Sequence, residues 1–97
     1  MKAVLIIFDQ AHYSQIERDL SKLNIRGLSS WKEVFGRGSN SGEPHYGSHA
    51  WPSVNNAIIT IVEDEKVKLL LKYLKELDNM YDQLGLRAFV LNVEDMI

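Results

Sequence analysis

Two short runs, Ala3-Val-Leu-Ile-Ile-Phe8 and Ala57-Ile-Ile-Thr-Ile-Val62, are apolar at nearly every position rather than at every second one. Both are rich in β-branched residues and bounded by polar ones, a pattern that favours buried strands over helices. A strand with one face in water alternates apolar and polar residues. These two do not, so something must cover both faces of any sheet built on them. Helices can cover one face. A partner subunit is the better candidate for the other, because burying roughly 1000 Å² of apolar area contributes on the order of 25 kcal/mol before association costs.

The remaining elements are read from periodicity. The first strand spans 2–8. Tyr13, Ile16, Leu20 and Leu23 recur at spacings of three and four among polar residues and predict an amphipathic helix over 13–23. Asn24 is placed as its C-cap, and Gly27 supplies a permissive turn. Leu28 to Phe35 alternates loosely and reads as a second strand. Asn56 to Val62 is the third, closed by Glu63-Asp64, with Asp64 as N-cap of the next helix. That helix, 65–79, places Val67, Leu70, Leu71, Leu74 and Leu77 on one stripe and lysines and glutamates on the other. Gly85 resets the backbone before a fourth strand, 86–93. Strand, helix, strand, strand, helix, strand is the ferredoxin-like α+β order, an antiparallel sheet with both helices on one face.

Between the second and third strands, residues 36–53 hold four of the 6 glycines, both prolines, four serines and two of the 3 histidines. A loop of that length is uncommon in a compact domain and signals function or disorder. With 97 residues in all, the chain is expected to form a single domain over 1–97. A net charge of −2 gives no general reason to bind nucleic acid, and the absence of cysteine excludes disulfides, thiolate metal sites and a cysteine nucleophile. No apolar run is long enough to span a membrane, and no signal-peptide pattern follows the first strand, so a cytoplasmic location without membrane insertion is expected.

The chemistry concentrates in the long loop. In Gly36-Arg-Gly-Ser-Asn-Ser-Gly42 the glycines permit close backbone approach, successive N–H groups can form an anion nest, and Arg37 offers a forked donor. The same composition also suits a flexible hairpin tip. It is neither a P-loop nor a dinucleotide fingerprint. Glu43, His45 and His49 are metal-ligand types, although Pro44 and Gly47 argue against the helical spacing two histidines would need. His45 also suits contact with an anionic ligand. Trp31 and Trp51 are read as closing a core or an interface. Asp9, His12 and Ser14 assemble a triad on paper only, without the elbow or oxyanion hole that hydrolysis requires. No enzyme activity is expected.

Several segments carry a resemblance. Leu20-Ser-Lys-Leu-Asn-Ile-Arg-Gly-Leu28 followed by Glu33-Val-Phe-Gly-Arg-Gly38, then Val62-Glu-Asp-Glu-Lys-Val67, and finally Phe89-Val-Leu-Asn-Val-Glu-Asp-Met-Ile97, resemble in order and separation the PII signal-transduction family and its PII-like relatives. The resemblance implies a ferredoxin-like homotrimer with sheets facing the trimer axis. It further implies a nucleotide or other small anionic ligand in clefts between subunits, and a long T-loop, here 36–53, that engages a target protein such as a membrane transporter or an enzyme. By position it brings Ser29, Gly36 and Gly38 to the ligand; Arg37, Ser39 and His45 are added from their chemistry. An adenine nucleotide is the cofactor it suggests.

The chain also departs from the family. Ser39-Asn40 replaces the Arg-Gln pair after Gly38, Ala57 stands where the family has a basic residue, Asp82-Gln-Leu-Gly85 lacks the glycine-and-lysine phosphate loop, and no terminal arginines follow Ile97. The alternative expectation is a metal-binding trimer of the divalent-cation-tolerance type, with Glu43, His45 and His49 as ligands.

Overall fold

A computed structural model describes residues 1–36, 54–81 and 85–97. The chain runs through β1 (Lys2–Asp9), a 3-10 turn (Gln10–His12), α1 (Tyr13–Lys22), β2 (Ser29–Val34), β3 (Asn55–Val62), α2 (Asp64–Met80) and β4 (Arg87–Asn92). The four strands form one sheet in the order β2-β3-β1-β4, and every pair is antiparallel. This is the ferredoxin-like arrangement expected from the sequence.

The doubly apolar strands are the central pair. Val4, Ile6 and Phe8 of β1 stand beside Thr60, Ile58 and Asn56 of β3. Val4, Ile6, Phe8, Ile58 and Val62 are buried in one cluster with Ile16 and Leu20 of α1 and Leu70, Leu74 and Leu77 of α2. Both helices therefore cover the same face. Thr60 is a buried polar member of that layer, and its hydroxyl donates to the Gly27 carbonyl at 2.6 Å, which fastens the α1–β2 connection to the sheet.

The other face carries Leu5 and Ile7 of β1, Ile59 and Ile61 of β3, Trp31 of β2, and Phe89 and Leu91 of β4, by strand register. Nothing among the described residues covers it: Trp31 is 51%, Phe89 49% and Leu91 51% exposed. Trp31 thus belongs to a surface rather than to the core. Trp51 lies outside the described residues.

The helix ends differ from expectation. Leu23 is the C-cap of α1, and Asn24 lies one position beyond it in the left-handed region, φ 57°. The Ile25 amide donates to Leu20 O and the Asn24 amide to Ser21 O, both at 2.9 Å, which is a Schellman closure with Ile25 and Leu20 together in the core. Gly27 adopts no positive φ; among the described glycines only Gly85 does, at φ 70°. Glu63 rather than Asp64 caps α2, with no side-chain cap bond. Asp64 is inside the helix, where its Oδ1 lies 2.9 Å from the Met1 ammonium. Hydrogen bonding from that ammonium, and then its charge and that of Lys2, hold the Asp64 carboxyl below its ordinary value despite an opposing desolvation contribution.

Candidate functional site

The end of β2 is bent by a bulge. Trp31 pairs with Ala57 but Val34 pairs with Asn55, so β2 spends one residue more than β3 over the same stretch. Glu33 takes up the excess with φ 60°, a conformation more usual for glycine. The bend directs Val34, Phe35 and Gly36 toward the helix-free face, where they meet the start of β3 and the start of β4.

A cavity of about 150 Å³ lies at that junction. Ile7, Val34, Phe35 and Phe89 form its apolar wall, and Gly36, Asn55, Gly85 and Arg87 complete it. Asn55 is only 3% exposed, and its Oδ1 is a buried acceptor with no hydrogen-bond partner among the described residues. Such an atom is costly to leave unpaired, by roughly 1–3 kcal/mol. Arg87 donates from Nη1 to the Leu86 carbonyl at 2.7 Å. The other donors of its fork take no partner among the described residues. The cavity thus sets a cationic donor and a buried acceptor against apolar and aromatic walls, which suits a ligand that is anionic at one point and donates a hydrogen bond at another.

Gly36, a ligand-binding candidate of the sequence, lines this cavity. A Cβ at Gly36 would meet nothing within 4 Å among the described residues. Ser29 does not join it within one chain. It pairs with Ile59, four positions along β3 from Asn55, roughly 13 Å away at the usual strand rise. Arg37, Gly38, Ser39 and His45 lie outside the described residues, as do Glu43 and His49 of the metal set. Among the described residues no group of three His, Asp or Glu side chains gathers to hold a metal. Of the Asp9, His12 and Ser14 set, His12 packs its ring on Tyr81 with centroids 4.6 Å apart, and the Asp9 carboxylate accepts the Ala11 amide at 2.9 Å.

The family model described as nitrogen regulatory protein P-II matches residues 1–97. The chain belongs to the nitrogen regulatory P-II family. Among curated proteins no relative matches the P-II sequence described here. Among solved structures, it is similar to CPII from Thiomonas intermedia bound to ADP and bicarbonate, at 24% identity and a TM-score of 0.72, covering 92% of this chain and 81% of that one. CPII bound to ADP, AMP and acetate matches at 21% identity and a TM-score of 0.74, covering 93% and 82%. The apo form of the same PII-like protein matches at 19% identity and a TM-score of 0.67, covering 92% and 84%. These likenesses are of fold.

Asn55 and Arg87 escaped the sequence reading. Arg87 was available as the single charged residue of its strand. Asn55 carried no such signal, because its importance lies in burial without a partner.

Proposed function

We propose that this P-II chain is a homotrimeric regulator that takes an adenine nucleotide at the loop-base cavity and conveys its ligand state to a target protein through residues 36–53. It catalyses no reaction and acts in the cytoplasm. The single observation that carries the ligand reading is the pairing, in one cavity, of the unpartnered buried Oδ1 of Asn55 with the forked donor of Arg87. A nucleotide supplies both complements, N–H or O–H donors and an anionic phosphate, together with a base that packs on apolar side chains such as Phe89. The ADP and AMP held by the CPII structures support that ligand class, and the bicarbonate of one of them supports a small oxyanion beside it.

The trimer rests on the uncovered apolar face, which includes Ile7 and Phe89 of the cavity itself. Assembly through this face puts the cavity against a neighbouring subunit. Ser29 then contributes from the neighbour, while Gly36, Arg37, Gly38, Ser39 and His45 contribute from the loop and its base. Calorimetric titration with ADP, in the presence and absence of bicarbonate, tests the reading on the wild type and on Arg87→Ala. Saturable binding that weakens about tenfold or more in the variant is expected. Absence of binding to the wild type, or an affinity untouched by the substitution, overturns it.

A further inference from the structure

A second cavity, of about 240 Å³, lies between the two helices, away from the strand residues that line the first. Gln15, Asp19 and Lys22 of α1 face Tyr73, Glu76 and Tyr81 across it. Asp19 is 7% exposed, a carboxylate largely withdrawn from water. Its side-chain partner among the described residues is the neutral Gln15 amide, whose Nε2 donates to Oδ1 at 3.1 Å. Asp19, Glu76 and Lys22 form no ion pair among the described residues, where the ion pair present is that of Met1 with Asp64. The Gln15 amide is a neutral donor, and no Lys or Arg among the described residues pairs with this largely buried carboxylate.

We propose that this interhelical groove binds a guanidinium group, either of a free arginine-like compound or of an arginine side chain. Two carboxylates against one ammonium give the groove a net negative charge. A metal ion is a poor occupant, since no three suitable ligands gather there. An ammonium is compact and strongly hydrated, whereas a guanidinium is planar, gives up water more readily and forks onto a carboxylate. Tyr73 and Tyr81 line the groove and are the aromatic residue types a guanidinium packs on, and the Tyr81 ring packs against His12. The volume is below the roughly 300 Å³ at which pockets for larger small molecules begin, and suits an occupant of side-chain size.

The test is an amide-resolved NMR titration of the full chain with L-arginine, N-acetyl-arginine methylamide, L-lysine and L-citrulline, the last being the neutral isostere. Both arginine compounds are expected to shift resonances of α1 and α2 around Asp19 and Tyr81, lysine less, and citrulline not at all. Tighter binding of free arginine, whose carboxylate can meet Lys22, assigns the groove to a small guanidino compound. Equal or tighter binding of the blocked derivative assigns it to a protein side chain. Asp19→Asn should weaken binding about tenfold or more, and Tyr81→Ser, at a 46% exposed position, should weaken it with the fold intact. No shift at the groove, equal shifts from citrulline, or unchanged affinity in both variants overturns the proposal.

Discussion

The Asn56 side-chain oxygen accepts the Glu33 amide at 3.3 Å, and so holds the one residue of β2 that stands in the left-handed region. Asn56 is buried, and removing its amide leaves a backbone donor without a partner. Asn56→Ala is expected to lower stability by about 1–3 kcal/mol in urea unfolding. Glu33→Gly relieves a left-handed cost of about 1–2 kcal/mol but adds freedom to the unfolded chain, so its midpoint should stay near that of the wild type. Glu33→Val should lower it.

Asn24 closes α1 in the same left-handed conformation. Asn24→Gly should leave thermal stability unchanged or slightly raised, while Asn24→Ala should cost about 1 kcal/mol. The Lys66 ammonium donates to the Asn24 backbone carbonyl, so that contact survives either change.

Gly36 borders the cavity at the base of the loop, with open space among the described residues where a Cβ would go. Gly36→Ala should therefore leave the melting temperature unchanged or slightly raised, while ADP affinity, read by calorimetry, falls. Unaltered affinity would remove Gly36 from the contact surface.

Phe89 and Leu91 project from the helix-free face. A Phe89→Asp, Leu91→Asp double variant should keep its helical signal yet sediment as single chains, because neither side chain belongs to the buried cluster. Leu69→Asp, at a 42% exposed position on α2, should sediment like the wild type.

The Asp64 carboxyl is held below its ordinary range, chiefly by the hydrogen bond from the Met1 ammonium. A lowered value means that the ionised form is favoured in the fold. Its contribution is complete above the ordinary carboxylate pKa and disappears as pH falls through the folded value. NMR titration of the carboxyl carbon should place its midpoint below that of an unpaired aspartate, and acetylation of the amino terminus should raise it.

Periodicity made the fold legible, since Ile16 and Leu20, and Leu70, Leu74 and Leu77, fall at helical spacings and are buried. The apolar runs in β1 and β3 likewise announced two apolar faces, of which the helices cover one. Ends were harder, because caps depend on local geometry that residue type only biases: Asn24 moved one position outward, and Asp64 gave up the cap to Glu63. The bulge was invisible, as Glu33 is not a residue type that marks a left-handed position. At the cavity, Gly36 had been singled out by loop composition and by its place in the family resemblance. Asn55 and Arg87 were not, because a cavity brings together residues from β1, β3 and β4 that lie far apart along the chain.

The double apolarity of β1 also bears on how the chain finds its folded state. In an ordinary half-exposed strand, a slip of one residue against its neighbours throws polar groups into the core, and the hydrophobic pattern itself forbids the error. In β1, exchanging Val4, Ile6 and Phe8 for Ala3, Leu5 and Ile7 trades one apolar set for another. The pattern leaves the slip nearly unopposed. Correct registration leans instead on polar anchors: Lys2 of β1 against Asn92 of β4, and, for the β3 strand beside it, Thr60 beneath the Gly27 carbonyl and Asn56 against Glu33. Substitutions at these positions should thus retard productive folding and raise the yield of misregistered, aggregation-prone chains.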